Sequence, residues 1–139
     1  MRAASLATLP DRFAGSANTH GASVRRRYGV GGAVSEASAG FPHVVNVALP
    51  LLRRNVAPAD VLLALLAVVD DTCTLHRGGR AGARLAQAGA RAAIRAGGTA
   101  TPAGRSQLRL LDATLVAHNI SPGGCADLLA AGLFVAAGG

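Results

Sequence analysis

The chain has 139 residues and a formal net charge of +7, and all of its non-histidine cationic side chains are arginines. That length fits one domain, and the positive charge predicts an anionic partner: a nucleic acid, an anionic lipid or a phosphorylated small molecule. With three Phe, one Tyr and no Trp, the chain lacks the stacking platforms of single-strand and RNA binders, so a polyphosphate ligand fits better.

The cysteine pattern and the N-terminus bear on where the protein works. Cys73 and Cys125 form no Cys-x-x-Cys or zinc-binding spacing, which predicts a reduced, cytoplasmic protein. Arg2 is not followed by an apolar run, so no secretory signal is expected. The longest apolar run, residues 61–69, is far shorter than the ~20 residues of a membrane span. We therefore expect neither a membrane nor a nucleic acid as partner.

The first segment in chain order, residues 1–20, shows no sustained hydrophobic period and is expected to be an irregular N-terminal lead. A helical part is expected from residue 21 to residue 139. It opens with an arginine triplet before glycines, RRRYGVGG at residues 25–32. Guanidinium groups and backbone N–H groups in such a loop can cradle phosphate, but the same pattern suits the solvated end of a basic helix. The residues favour neither interpretation.

A helical stripe follows from residue 43 to residue 54, with a kink or a break expected at Pro50. The next segment, residues 61–69, is apolar throughout and predicts a helix that is buried on all sides. Such a helix carries Asp70 and Asp71 into the interior, where an unpaired charge is costly. We expect both aspartates to meet a metal, a cation or a donor-rich ligand, and the alternative is a solvated turn.

His76, Arg77 and Gly78 are typical of an ordinary helix C-terminus, with cations at the negative end of the helix dipole and glycine after it. That interpretation leaves the two aspartates unexplained, because negative charge is disfavoured at this end of a helix.

Residues 80–96 predict another helix, whose face bearing Arg84, Arg91 and Arg95 is expected to be solvated. Thr101 and Pro102 predict an N-cap and the first residue of a helix that runs toward His118.

Ser121 is predicted to cap a last, very apolar helix that begins at Pro122 and runs to about Val135. Two glycines in its first turn, Gly123 and Gly124, each cost about 1 kcal/mol relative to alanine. They indicate that a group such as phosphate approaches the positive end of this helix closely.

Asp127, on an otherwise apolar helix, is predicted to be buried. Since no segment alternates as a strand does, the fold class is all-α, a bundle of about five to six helices.

Two segments together resemble a known family. DDTCTLHRGG at residues 70–79 resembles the D-D-T-x-L-L-H-R-G-G signature of the triphosphoribosyl-dephospho-CoA synthases, and NISPGGCADLL at residues 119–129 resembles their N-x-S-P-G-G-S-A-D-L-L signature. Residues 27–29 (RYG) and 40–42 (GFP) match further family positions in the same order. The resemblance extends over roughly residues 20 to 135.

The resemblance implies an all-helical enzyme that transfers the 5-triphosphoribosyl group of ATP to the 2′-OH of 3′-dephospho-CoA and releases adenine. The product is the prosthetic-group precursor for the acyl carrier protein of malonate decarboxylase or citrate lyase, of which we expect the former.

The resemblance also implies a set of site residues. Catalytic roles are expected for Asp70, Asp71, Asp127 and His76, and Asp70 and Asp71 are also expected to hold the Mg²⁺ that accompanies ATP. Substrate and phosphate contacts are expected from nine further residues: Arg77, Gly78, Gly79, Arg27, Tyr28, Asn119, Ser121, Gly123 and Gly124.

The family is longer than this chain, and the motifs of its N-terminal half have no counterpart here. Gly31 and Val34 also stand where the family carries arginines. Residues 21–139 are therefore expected to be the C-terminal half, a fragment of a larger all-helical enzyme, with the missing half or a second copy as partner. The alternatives are a truncated non-catalytic fragment and one part of a split synthase.

Overall fold

The structure, a computed structural model, describes residues 36–138, except for the side chains of residues 72, 73 and 75–77. The described residues form helices and turns, with no strand among them. The all-α prediction is therefore confirmed. The irregular lead expected over residues 1–20 and the arginine-glycine loop at residues 25–32 lie outside the described residues.

The α-helices that lie within this part are α1 (Leu49–Arg53), α2 (Pro58–Val68), α3 (Thr72–Arg95), α4 (Pro102–Ala117) and α5 (Gly123–Ala136). A π-helical turn, Val44–Ala48, leads directly into α1, and a 3₁₀ turn, Gly98–Ala100, precedes α4.

The irregularity predicted at Pro50 is found one turn earlier. Pro50 is the second residue of α1, and the backbone N–H of Leu49 donates to the carbonyl of Val44 in the wider π register. Proline lacks an N–H group, so the chain changes its hydrogen-bond register before Pro50 rather than breaking at it.

Helix α2 is the centre of the core and packs against α3, α5 and the π-helical turn. All of its residues from Val61 to Ala67 are buried or half-buried, whereas Val68, its last residue, is exposed. The predicted burial on all sides therefore holds for most of the helix but not for its C-terminal end.

Polar groups of α3 cap that end of α2. The Arg91 guanidinium donates to the carbonyl of Ala67 at 2.9 Å, and the Gln87 side chain donates to the carbonyl of Val69 at 3.2 Å. Arg91, predicted to lie on a solvated face, is indeed exposed, yet its guanidinium satisfies a carbonyl that the helix cannot pair internally. This contact fixes where the segment that carries Asp70 and Asp71 leaves α2.

The other end of α2 is held by Asp60, whose carboxylate accepts the N–H of Thr99 at 2.8 Å and also the Thr99 hydroxyl. The N-cap predicted at Thr101 is confirmed, since its hydroxyl oxygen accepts the N–H of Gly104 at 2.9 Å. Gly104 in turn lies against the backbone of Gly98, where a Cβ would come within 2.0 Å of the Gly98 carbonyl oxygen. These contacts anchor α4 to the start of α2.

Candidate active site

Asp71 is the N-cap of α3. Helix α2 ends at Val68, the chain is extended at Val69, and α3 begins at Thr72. The Oδ1 atom of Asp71 accepts the N–H of Thr74 at 3.1 Å. The sequence placed Asp71 at the negative end of one helix, and that placement is wrong, because Asp71 lies at the positive end of the next helix, where a carboxylate is favourable.

The same carboxylate also caps α5. Oδ2 of Asp71 accepts the N–H of Cys125, the third residue of α5, at 2.7 Å. Asp71 is 3% exposed, so its predicted burial is confirmed. Two helix N-termini, far apart in sequence, thus share one buried negative charge, and charge-assisted hydrogen bonds of this kind offset the loss of hydration.

Gly124 is what allows this approach. A Cβ on Gly124 would lie 3.2 Å from the Cγ and from both carboxylate oxygens of Asp71. The close approach expected at these glycines is therefore present, and the group that makes it is Asp71. Ser121, predicted to cap this helix, makes no cap hydrogen bond, and Pro122 occupies the cap position. The phosphate contacts expected from Gly123, Gly124 and Ser121 stay predictions.

Asp70 and Asp127 are both exposed, so their predicted burial is wrong. Asp70 lies in the extended segment beyond the end of α2, where the chain has reached the surface. Asp127 lies on the side of α5 that faces away from the core. Of the three aspartates, only Asp71 is enclosed by protein, and the other two present their carboxylates to solvent.

Gly79 interrupts α3, with φ 65° and ψ −167°. The chain therefore leaves helical geometry just after Gly78, as expected from the glycines that follow His76 and Arg77. Positive φ is far more accessible to glycine than to other residues. The side chains of His76 and Arg77 lie outside the described part of the structure, as do Arg27 and Tyr28 altogether, so their expected roles stay predictions.

Gly78 gives the two signature segments a second contact. A Cβ at Gly78 would lie 2.6 Å from the Cδ1 atom of Ile120, which is buried. Asn119 and Ser121, on either side of Ile120, are exposed, and Asn119 has a positive φ of 53°. The segment therefore inserts its apolar residue into the notch at Gly78 and leaves its polar neighbours accessible to a ligand.

Thr74 and Glu36 are two polar groups that sequence reasoning did not single out. Thr74 is 1% exposed, and within residues 36–138 its hydroxyl has no hydrogen-bond partner. The Glu36 carboxylate accepts the backbone N–H of His43 at 2.7 Å and pairs with its Nδ1 at 2.9 Å. That pair closes the turn at residues 39–41, which overlaps the GFP match to the family at residues 40–42. A glutamate seven residues before a histidine carries no signal for such a turn.

The buried Thr74 hydroxyl leads to the first prediction. Replacing Thr74 with valine keeps the shape of the side chain and removes an unpaired polar group, so the free energy of unfolding is expected to rise by about 1 kcal/mol. Chemical denaturation measures this change, and Thr114→Val, which removes a hydroxyl bonded to the Leu110 carbonyl, is the control. A less stable Thr74→Val variant would mean that the hydroxyl has a partner.

The carboxylates differ in how well they could hold Mg²⁺. Among the residues described, no three or more His, Cys, Asp and Glu side chains come together to hold a metal ion. Both oxygens of Asp71 accept backbone N–H groups, whereas Asp70 is exposed. Mg²⁺ that travels with a nucleotide typically uses one or two carboxylates with phosphate oxygens and water, so Asp70 fits such an ion better than Asp71 does.

No helix in residues 36–138 has the length and apolar character needed to cross a membrane.

Helices α3 and α5 begin at the same buried carboxylate, that of Asp71. The same two segments carry the exposed carboxylates of Asp70 and Asp127. The meeting point of the two helix N-termini is therefore a polar site.

Sequence comparison identifies the family. The model of the ATP:dephospho-CoA triphosphoribosyl transferase family matches residues 3–139, and the chain belongs to this family. A probable 2-(5″-triphosphoribosyl)-3′-dephosphocoenzyme-A synthase of Pseudomonas paraeruginosa PA7 is 54% identical over 96% of this chain and 48% of the relative. Proteins of the same name from Pseudomonas aeruginosa UCBPP-PA14 and Azotobacter vinelandii DJ are 52% and 51% identical. No solved structure matches.

The matches cover 96–97% of this chain. The expectation that residues 21–139 correspond to one half of a larger enzyme stays a prediction. The chain spans about half the length of the curated relatives that it matches, 48–49% in these three.

Proposed function

We propose that the chain takes part in transferring the 5-triphosphoribosyl group of ATP to the 2′-OH of 3′-dephospho-CoA, with release of adenine. The observation that carries the proposal is the junction at Asp71, whose carboxylate bonds the N–H groups of Thr74 and Cys125. This junction brings together the two segments in which the chain most resembles the synthases. The net charge of +7 suits two substrates that are both rich in phosphate.

Asp70 is the carboxylate that we assign to the chemistry. It is exposed and adjacent in sequence to the group that holds the two helix starts together. When adenine leaves, positive charge develops at C1 of the ribose, and a carboxylate can stabilise it or take the proton of the attacking 2′-OH. Bound Mg²⁺ would neutralise charge on the triphosphate, with Asp70 as its protein ligand. Asp127, in the N-terminal half of α5, is the other exposed carboxylate of the two signature segments.

Asp71 then acts as a positioning residue. Its two oxygens orient the first turns of α3 and α5, so it fixes the backbone around the reacting groups without contacting them. The phosphates would bind to the remaining N–H groups at these helix starts, near the exposed Asn119 and Ser121. His76, Arg77 and Gly79 follow Asp71 on the first part of α3 and would contribute to the same site.

The rest of the proposal concerns the setting of the reaction. We propose a cytoplasmic enzyme that serves the acyl carrier protein of malonate decarboxylase, with citrate lyase as the other destination. Its partner is either the complementary half of a full-length synthase or a second copy of the chain. A second candidate, a non-catalytic helical fragment or one part of a split synthase, is favoured by the chain's share of its relatives' length, 48–49%.

Adenine release tests the proposal. The purified chain is incubated with ATP and 3′-dephospho-CoA, with and without Mg²⁺, and adenine is quantified by chromatography. We expect adenine only with both substrates and the metal, and we expect Asp70→Asn to lower its rate by about tenfold or more. Asp112→Asn, which changes an exposed aspartate on α4, is the control.

Each other outcome assigns a different role. Equal rates for wild type and Asp70→Asn would remove Asp70 from the chemistry. No adenine from the folded chain would favour the non-catalytic candidate. Turnover that appears only when the complementary half is added would identify a split synthase.

A further inference from the structure

Apart from Asp127, helix α5 is apolar on all sides, yet within residues 36–138 only one side of it is covered. Cys125, Leu128 and Gly132 are buried against the core. The opposite side is exposed, with Phe134 at 64% and Leu133 at 41%. We call this side the outer α5 face; it consists of Ala126, Asp127, Ala130, Leu133 and Phe134, with Ala137 following at the C-cap. Helices that are apolar all round are normally enclosed by protein.

Leu110, an exposed apolar residue of similar exposure, has polar surroundings. On α4, Leu110 is 61% exposed, but Arg109 and Asp112 are its exposed neighbours. Isolated apolar residues among charges are ordinary at a protein surface. The outer α5 face has one charged residue, Asp127, and is otherwise continuous, as in a surface that binds protein.

The length comparison identifies the occupant. Relatives that are 48–54% identical to this chain match it over only about half of their own length. The unmatched half must pack somewhere, and an apolar helix face is the surface where packing gains most. We propose that the outer α5 face binds the unmatched half of a full-length synthase through an apolar surface of that half.

This inference rests on the proposed function in one respect: the partner that covers the outer α5 face is assumed to be part of a synthase. It also places the occupant beside the site, because α5 begins at the Asp71–Cys125 hydrogen bond and Asp127 lies on the outer face. The half that covers Phe134 and Leu133 therefore extends toward Asp127, beside the proposed site.

Co-purification tests the inference. The tagged chain is co-expressed with the part of the Pseudomonas paraeruginosa PA7 relative that it does not match, so that this part can fold against the chain. We expect a one-to-one complex with the wild type, and an affinity about tenfold or more lower for Phe134→Asp, because a buried anchor is replaced by a charge. Leu110→Asp, at an equally exposed position, is the matched control and is expected to keep wild-type binding.

Both residues are largely exposed in the chain, so circular dichroism is expected to show that both variants fold. In a second measurement the same part of the relative is fused to the chain, and hydrogen exchange is followed in α5. We expect slower exchange in α5 than in the chain alone, and a loss of this protection in Phe134→Asp.

Three results would overturn the inference: no complex and no added protection with the wild type, equal binding by Phe134→Asp, or self-association of the chain through Phe134 in light scattering. The last would make a second copy the occupant. The readouts need no turnover, so Phe134-dependent binding without adenine release would leave this inference standing while the proposed function fails.

Discussion

Asp71→Ala is expected to lower the free energy of unfolding by about 3 kcal/mol, because α3 and α5 both lose the acceptor of a first-turn N–H group. Removing one N-cap typically costs about 1 kcal/mol, and a hydrogen bond to a charged group contributes about 1.5–3 kcal/mol. Both donors, on Thr74 and Cys125, are buried, so water cannot easily replace the carboxylate. The midpoint of thermal unfolding is expected to fall by about 10 °C.

Asp71→Asn distinguishes the contribution of one cap hydrogen bond from that of both. The amide has the shape of the carboxylate but only one acceptor oxygen, so its NH₂ group must face the N–H of either Thr74 or Cys125. We expect this variant to lose roughly half of the stability lost in Asp71→Ala. Adenine release is also expected to fall, since the backbone of the two signature segments would no longer be held in one arrangement.

Asp70→Ala is the matched control, because it changes the neighbouring but exposed carboxylate. Its effect on stability is expected to be within about 0.5 kcal/mol. If Asp71→Ala unfolds at the wild-type temperature, the shared cap does not hold the two helices together, and the positioning role assigned to Asp71 fails with it.

Asp70 and Asp71 are adjacent, yet one is exposed and the other is buried. The sequence predicts part of this difference but not all of it. The apolar run of α2 correctly predicted a buried helix, but the helix ends at Val68, so Asp70 is at the surface and only Asp71 turns inward. The pattern from Asp71 to Thr74, a cap residue three positions before the N–H that it accepts, was a local signal for a new helix. Its second bond, to Cys125, depends on the tertiary fold and has no local signal.

Some local caps were accessible from the sequence, as the confirmed cap at Thr101 shows, although Ser121 does not cap α5 as predicted. Contacts between distant segments were not accessible. The hydrogen bond from Arg91 to the Ala67 carbonyl requires knowing that α3 crosses the end of α2. Asp127 was expected to be buried because α5 is apolar, and it is exposed because the described part of the chain covers only one side of that helix. The sequence pattern shows that α5 is apolar, but it does not show which of its faces other helices cover.

The notch at Gly78 gives the second large effect. Gly78→Ala is expected to destabilise the fold by about 1–2 kcal/mol, because its Cβ would lie 2.6 Å from the terminal Cδ1 atom of Ile120 and this buried side chain would have to leave its present rotamer. Gly82→Ala is the graded control, since its Cβ would lie 3.1 Å from the same atom. Its cost is expected to be clearly smaller. Chemical denaturation of both variants measures the difference.

Ile120→Val removes the atom that a Cβ at Gly78 would meet. Alone it is expected to cost about 1 kcal/mol for the lost methyl group. Combined with Gly78→Ala it is expected to cost less than the sum of the single changes, with a coupling of about 1 kcal/mol in a double-mutant cycle. Coupling between these positions would mean that the segment at residues 70–79 requires glycine because Ile120 packs against it. Additive effects would instead leave Gly78 available for the phosphate contact that its position in the signature predicts.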